Sequence, residues 1–107
     1  MDTLLESDEA ALCGPVLAEV RRGLLDARTR GEVLHLLSGC TLLSQPASLW
    51  EDAGDLGAIV RRRGSTIKTM DLLIATYALA HSTALLTTDR DFDQIEAAGV
   101  ALRVVRP

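Results

Sequence analysis

Three carboxylates, Glu19, Asp71 and Asp89, are the side chains whose types and positions point to chemistry. Taken singly, each acid has an ordinary structural role, because a carboxylate in the first turn of a helix or at its N-cap is stabilising. Taken together, the three would repel one another unless a positive charge neutralised them. A hard divalent cation such as Mg²⁺ or Mn²⁺ does so and prefers oxygen ligands. Such an ion can activate water and stabilise charge on a phosphodiester, so the pattern indicates a hydrolytic metal site.

A predicted helix and strand bring Asp71 and Asp89 together, although 18 positions separate them. Residues 71–81 are nearly all apolar or small and contain no Gly or Pro, which predicts a buried helix. Residues 84–88 form a short apolar run typical of a strand. The helix advances about 16 Å at roughly 1.5 Å per residue, and the strand returns about 16 Å at roughly 3.3 Å per residue. The two carboxylates are therefore expected side by side.

The rest of the chain alternates between strand-like and helix-like segments. Apolar runs predict strands at residues 10–13, 40–43 and 101–105, and helical spacing predicts helices at residues 16–30, 32–37, 47–62 and 92–98. This alternation predicts an α/β fold in which helices cover both faces of a parallel sheet. Ligands of such sheets lie beyond the carboxyl ends of the strands. Glu19 follows the first predicted strand, Asp89 follows the third, and Asp71 opens the helix before it, so all three converge on one sheet edge.

Composition and charge limit the classes of function. With 107 residues the chain makes one small domain, and its 11 basic and 15 acidic residues give a net charge of −4. This balance argues against tight, charge-driven nucleic-acid binding by the whole surface, but it allows a nucleic-acid enzyme with a local basic rim. Residues 61–63 are three consecutive arginines at a predicted helix end. They are either solvated side chains whose positive charge suits the negative end of the helix dipole, or contacts for the RNA backbone.

The cysteines and the hydropathy pattern bear on location. Cys13 and Cys40 lack the spacing of metal ligands and sit in apolar runs, so we expect free thiols in a reducing compartment. The sequence shows no signal-peptide pattern and no apolar run long enough to span a membrane. We therefore expect a cytoplasmic protein without membrane contact.

Three motifs follow one another in a defined order and spacing. They are Gly-Pro-Val-Leu-Ala-Glu at residues 14–19, Thr-Met-Asp-Leu-Leu-Ile-Ala at 69–75, and Leu-Thr-Thr-Asp-Arg-Asp-Phe at 86–92. By these motifs the chain resembles the PIN-domain ribonucleases, and specifically the VapC toxins of bacterial toxin–antitoxin pairs, over most of its length. The resemblance implies a three-layer α/β/α fold with a parallel central sheet. It also implies Mg²⁺- or Mn²⁺-dependent RNA endonuclease activity and inhibition by a cognate VapB-type antitoxin.

The resemblance further implies roles for individual residues. Glu19, Asp71 and Asp89 would be catalytic acids and metal ligands, and Asp91 would be a further metal ligand. Thr87 would hold a ligand or a water molecule beside them. These assignments follow from the positions that match the family motifs.

The chain departs from the family pattern at its N-terminus. The family opens with a central strand that ends in an Asp-Thr/Ser motif and supplies the first metal-site Asp, followed by a helix. Only 13 residues precede Gly14, which is too few for both elements. We interpret residues 1–9 as the end of that helix and do not assign Asp2 as the missing ligand. Residues 1–107 are then a single PIN-like domain that lacks the first strand and most of the first helix.

This departure leaves alternatives open. Strand edges exposed by a missing central strand invite pairing with another chain, which predicts a homodimer. The missing Asp favours a catalytically inactive interaction module that binds an antitoxin or a dimer partner, whereas the three remaining carboxylates favour a metal-dependent nuclease. A flavodoxin-like signalling domain would need a phosphorylatable Asp at an early strand end, where the sequence has none.

Overall fold

The computed structural model describes residues 11–106, so the interpretation of residues 1–9 lies outside the described part. The strands are β1 (Ala11–Leu12), β2 (Thr41–Leu42), β3 (Leu85–Leu86) and β4 (Val104–Val105), and the helices are α1 (Gly14–Gly23), α2 (Ala27–Leu37), α3 (Leu49–Arg62), α4 (Thr69–Ala80) and α5 (Asp91–Ala97). This order confirms the predicted alternation of strands and helices. Each strand is two residues long, which is shorter than predicted.

The strands are parallel, as predicted, and they form two pairs. β1 pairs with β2, with Ala11 opposite Thr41, and β3 pairs with β4, with Leu85 opposite Val104. Within residues 11–106 no hydrogen bonds join the two pairs, so the predicted continuous sheet is replaced by two small ones. The α/β class with parallel strands is confirmed.

Helix α4 is the centre of the domain. Every residue from Asp71 to Ala78 is buried, as expected for a helix that is apolar on nearly all sides. It packs mainly against α3 and also contacts α1 and α5. Helix α3 is amphipathic, and its buried residues at helical spacing are Leu49, Ala53, Leu56 and Val60. Among the described helices, none combines the length and the apolar content that a membrane crossing requires.

The boundary between the first two helices differs from the prediction. The sequence pattern predicts one helix up to residue 30 and a break at Gly31, whereas α1 ends at Gly23 and α2 runs through Gly31. The side chain of Asp26 caps α2 by accepting a hydrogen bond from the N–H of Thr29 at 2.9 Å. A good N-cap therefore decides where α2 begins, whereas a single interior Gly weakens a helix without ending it.

Replacing Asp26 by Ala is expected to lower the melting temperature, because Ala leaves the N–H of Thr29 without its acceptor. The same hydrogen bond lowers the pKa of Asp26, so its stabilisation is present at neutral pH and is lost as pH falls through that lowered value. Thermal denaturation at pH 7 compares Asp26→Ala with Asp26→Asn, which keeps an acceptor and should melt close to wild type. Equal melting temperatures for all three proteins would contradict this assignment.

Candidate metal centre

Asp71, Asp89 and Asp91 form a compact cluster of carboxylates. One oxygen atom from each of the three lies within 4.8 Å of the others. Asp71 stands in the first turn of α4, Asp89 follows β3, and Asp91 opens α5. The structure thus places Asp71 and Asp89 side by side, as the lengths of the helix and the strand predicted. Oxygen atoms at this separation could bind one hard divalent cation together.

Asp71 is the least accessible member of the cluster. The residue is 7% exposed, and its Oδ2 atom is buried without a hydrogen-bond partner among the described residues. Burial raises the pKa of Asp71, and the negative charges of Asp89 and Asp91 raise it further. The ammonium group of Lys68, 3.7 Å from Oδ2, opposes this shift but lies in solvent. A buried carboxylate oxygen without a donor is unfavourable, so a bound cation would supply the partner that it lacks.

Hydrogen bonds fix the segment that carries the other two acids. The hydroxyl oxygen of Thr87, a buried residue, accepts a hydrogen bond from the N–H of Asp89 at 3.0 Å. The Oδ1 atom of Asp89 in turn accepts one from the N–H of Asp91 at 2.9 Å. The Thr87 side chain therefore holds the backbone of Asp89 and also borders the cavity in front of the cluster.

Arg106 ties this segment to the end of β4, a role that the sequence pattern did not predict. Its guanidinium donates to the carbonyl oxygens of Thr87 at 2.6 Å and Asp89 at 3.1 Å, and it pairs with Asp93. One sequence signal could have indicated this contact. Parallel neighbours end at the same sheet edge, so an Arg directly after β4 lies beside the residues that follow β3.

Replacing Arg106 by Ala should weaken metal binding and any metal-dependent activity about ten- to a hundredfold, the usual effect of losing a group that orients ligands. Arg103→Ala is a matched control, because Arg103 is exposed and only its backbone carbonyl contacts β3. Isothermal titration with Mn²⁺ measures the change in affinity. An Arg106→Ala protein that is folded and binds Mn²⁺ like wild type would exclude this positioning role.

Glu19 borders the same cavity but stands apart from the three-aspartate cluster. Its carboxylate pairs with Arg22 at 3.1 Å, and its side chain is 31% exposed. The cavity has a volume of about 370 Å³ and is lined by Glu19, Arg22, Lys68, Met70, Asp71, Ile74, Thr87, Asp89 and Phe92. Asp91, the further ligand implied by the resemblance, is in the cluster, whereas Glu19 lines the cavity outside the cluster. The two cations that line the cavity, Arg22 and Lys68, were not found from the sequence.

A family model covers most of this parallel α/β domain. The family model described as the PIN domain matches residues 2–98, and the chain belongs to the PIN domain family. Among curated proteins, it is 30% identical over 92 residues to VapC ribonuclease Mb1587 from Mycobacterium bovis. That match covers 84% of this chain and 69% of the relative.

Solved structures support the fold. A complex of VapBC2 from Rickettsia felis bound to a promoter DNA fragment contains a chain that superposes with a TM-score of 0.72 at 24% identity. That match covers 92% of this chain and 74% of the other. A chain of FitAcB from Neisseria gonorrhoeae superposes with a TM-score of 0.66 at 24% identity, covering 94% of this chain and 76% of the other. Both likenesses concern the fold alone, and they confirm the predicted PIN-like architecture.

Proposed function

We propose that this protein is a metal-dependent RNA endonuclease and acts as the toxin of a VapBC-type toxin–antitoxin pair. The observation that carries the proposal is the cluster of Asp71, Asp89 and Asp91, in which a buried oxygen of Asp71 has no hydrogen-bond donor among the described residues. Membership of the PIN domain family and 30% identity to a protein named as a VapC ribonuclease support it.

The chain's own residues suit this chemistry. Asp71, Asp89 and Asp91 would hold Mg²⁺ or Mn²⁺, as hard oxygen ligands do. Such an ion, when bound, supplies positive charge to a phosphodiester and lowers the pKa of water. A cation that neutralised the aspartates would release Lys68 from Asp71 to bind phosphate oxygens. Arg22 lines the same cavity and would bind phosphate when Glu19 turns away from it.

Glu19 would act from its place on α1, where it lines the same cavity. Its carboxylate is partly exposed, so it can turn away from Arg22 toward a bound substrate. We propose that it accepts a proton from the attacking water or completes the set of acids. In either role, Glu19 needs the cavity between α1 and α4 to hold the RNA strand.

RNA cleavage by the purified chain with Mg²⁺ or Mn²⁺ tests the proposal. The substrates are labelled single-stranded RNA of mixed sequence and total transfer RNA, and a chelator provides the metal-free baseline. Asp89→Asn should lose cleavage, whereas Asp55→Asn, which removes an exposed acid of α3 outside the cavity, should retain it. Cleavage that survives both the chelator and Asp89→Asn would exclude this site as the nuclease.

A second candidate is an inactive interaction module. It is favoured by the pairing of Glu19 with Arg22 and of Asp71 with Lys68, which balances two of the acids without any metal. No cleavage by wild type, together with binding of an antitoxin, would assign the protein to this class.

Protein partners form part of the proposal. Large apolar side chains are exposed on several elements, and the most exposed are Leu25, Leu36, Leu42 and Trp50. Exposed apolar surface of this kind is typical of protein interfaces, and we propose that an antitoxin and a second copy of this chain cover it. Light scattering on the purified chain should therefore give the mass of a homodimer, and a monomer at micromolar concentration would contradict this.

We propose a cytoplasmic location for the same function. Both Cys13 and Cys40 are free thiols, as expected in a reducing compartment.

A further inference from the structure

A second cavity, of about 490 Å³, opens between α3 and the segment that leads into α4. Each α3 residue that lines it has another lining residue three or four positions away, so they share one face of the helix. They are Gly54, Gly57, Ala58, Arg61 and Arg62, and the facing wall consists of Thr66, Ile67, Thr69 and Leu72. Gly54 borders open space, Gly57 lets the side chain of Leu72 approach α3 closely, and the two arginines stand at the C-terminal end of the helix. We call this cavity the α3–α4 cleft.

The cleft is positively charged within an acidic protein. Arg61 and Arg62 are exposed, and among the described residues neither guanidinium makes a hydrogen bond or an ion pair. By contrast, Arg22 and Arg106 each contact a carboxylate. No acidic side chain from residues 11–106 lines the cleft. It therefore offers two uncompensated guanidinium groups, which match phosphate groups by paired hydrogen bonds.

The cleft lies next to the three-aspartate cluster. Thr69 and Leu72 line the cleft, while Lys68 and Asp71 line the cavity in front of the cluster. These four positions alternate within the first turn of α4, whose length is only about 5.4 Å. The cleft and the cavity in front of the aspartates are therefore lined by neighbouring positions of one helix turn.

We propose that the α3–α4 cleft is a subsite for the sugar-phosphate backbone of RNA beside the cleaved bond, with Arg61 and Arg62 as its phosphate-binding residues. The hydroxyl groups of Thr66 and Thr69 are further donors on the facing wall. The inference rests on the proposed nuclease function for the choice of ligand, and it identifies where this acidic chain binds its polyanionic substrate.

Fluorescence anisotropy with a labelled single-stranded RNA of mixed sequence tests the charge, with a chelator present so that no cleavage occurs. The double variant Arg61→Ala/Arg62→Ala should raise Kd about tenfold or more. The slope of log K against log salt should fall by about 0.7 for each phosphate that the variant no longer neutralises. Arg63→Ala removes a single charge from the same helix end but outside the cleft, so its Kd should stay within about twofold of wild type.

A second variant tests the shape without changing the charge. Gly54 has no neighbouring atom within 4 Å of an added Cβ, so Gly54→Leu fits the helix and fills the open face. Leu also favours a helix more than Gly does, so this protein should melt at or above the wild-type temperature. Its Kd for the same RNA should nevertheless rise about fivefold or more.

Three outcomes would overturn the subsite. The first is an RNA Kd that the double variant Arg61→Ala/Arg62→Ala leaves unchanged, and the second is a rise in Kd for Arg63→Ala as large as for the double variant. The third is a loss of affinity for poly-glutamate in the double variant as large as its loss for RNA, which would assign the cleft to acidic protein segments. The two proposals fail separately. Metal-dependent cleavage with unchanged binding in the double variant removes only the subsite, whereas arginine-dependent binding without cleavage removes only the nuclease.

Discussion

Replacing Asp71 by Asn is expected to abolish metal-dependent RNA cleavage, by at least about a hundredfold, and to raise the melting temperature of the metal-free protein. Asp71 is 7% exposed, its Oδ2 has no hydrogen-bond donor within residues 11–106, and Asp89 and Asp91 lie within 4.8 Å. Asn keeps the shape, removes the charge and adds a donor toward the neighbouring carboxylates. The residue that the site needs most is therefore one that the fold accommodates poorly.

The rise in melting temperature of Asp71→Asn depends on pH, because the pKa of Asp71 is raised in the folded protein. The folded state disfavours the charged carboxylate. The wild type therefore loses stability as pH rises from the pKa of an unfolded Asp, about 3.9, through the raised pKa of Asp71 in the folded protein. The Asn variant has no such loss. Melting curves of the two proteins should therefore converge near pH 3 and separate toward pH 7, with the variant more stable.

Asp55→Asn is the matched control for both effects, because Asp55 is an exposed acid of α3 outside the cavity. It should retain the activity and the pH dependence of the wild type. A less stable Asp71→Asn protein at pH 7 would contradict this prediction and would mean that Lys68 compensates the charge of Asp71 in the metal-free fold.

The second large effect is stabilisation by a divalent cation. Mn²⁺ or Mg²⁺ at a hundred times its Kd would add about 2.7 kcal/mol to the free energy of unfolding. In a domain of this size, about 1 kcal/mol shifts the melting temperature by roughly 4–8 °C, so a rise of about 10 °C or more is expected. Differential scanning fluorimetry with and without a chelator measures it independently of any nuclease activity.

Asp89→Asn should reduce this shift strongly, because it removes one of the three oxygen ligands. Asp55→Asn tests specificity, since Asp55 is an exposed acid of α3 that lies outside the cavity and outside the three-aspartate cluster. Its shift should resemble that of the wild type. If Mn²⁺ stabilises Asp89→Asn as much as wild type, the ion binds elsewhere and the assignment of the cluster is wrong.

The closeness of Asp71 and Asp89 could be predicted from the sequence, because it depends on local lengths. An apolar helix and the strand after it have fixed rises per residue, so their outer ends meet without knowledge of the rest of the chain. The predicted α/β class and parallel strands are confirmed for the same reason, since alternating segments allow few other arrangements.

Two features of the fold were not predicted from the sequence. Asp26 and Gly31 are both residue types at which a helix boundary can fall, and the hydrogen bond from the N–H of Thr29 to Asp26 places the boundary at Asp26, with Gly31 inside α2. The strands pair over only two residues each, in two separate sheets, because pairing depends on which edges meet in space.

The sequence by itself predicted the candidate acids of the site, which are Glu19, Asp71, Asp89 and Asp91. Only the tertiary structure decided how they group. It joined Asp71, Asp89 and Asp91, left Glu19 outside this cluster, and brought Arg106 onto the backbone of Asp89. Residue types and spacing specify the local elements and the ion pairs within one helix, such as Glu19 with Arg22. The metal site and the contacts of Arg106 depend instead on distances between side chains from different elements, which packing sets.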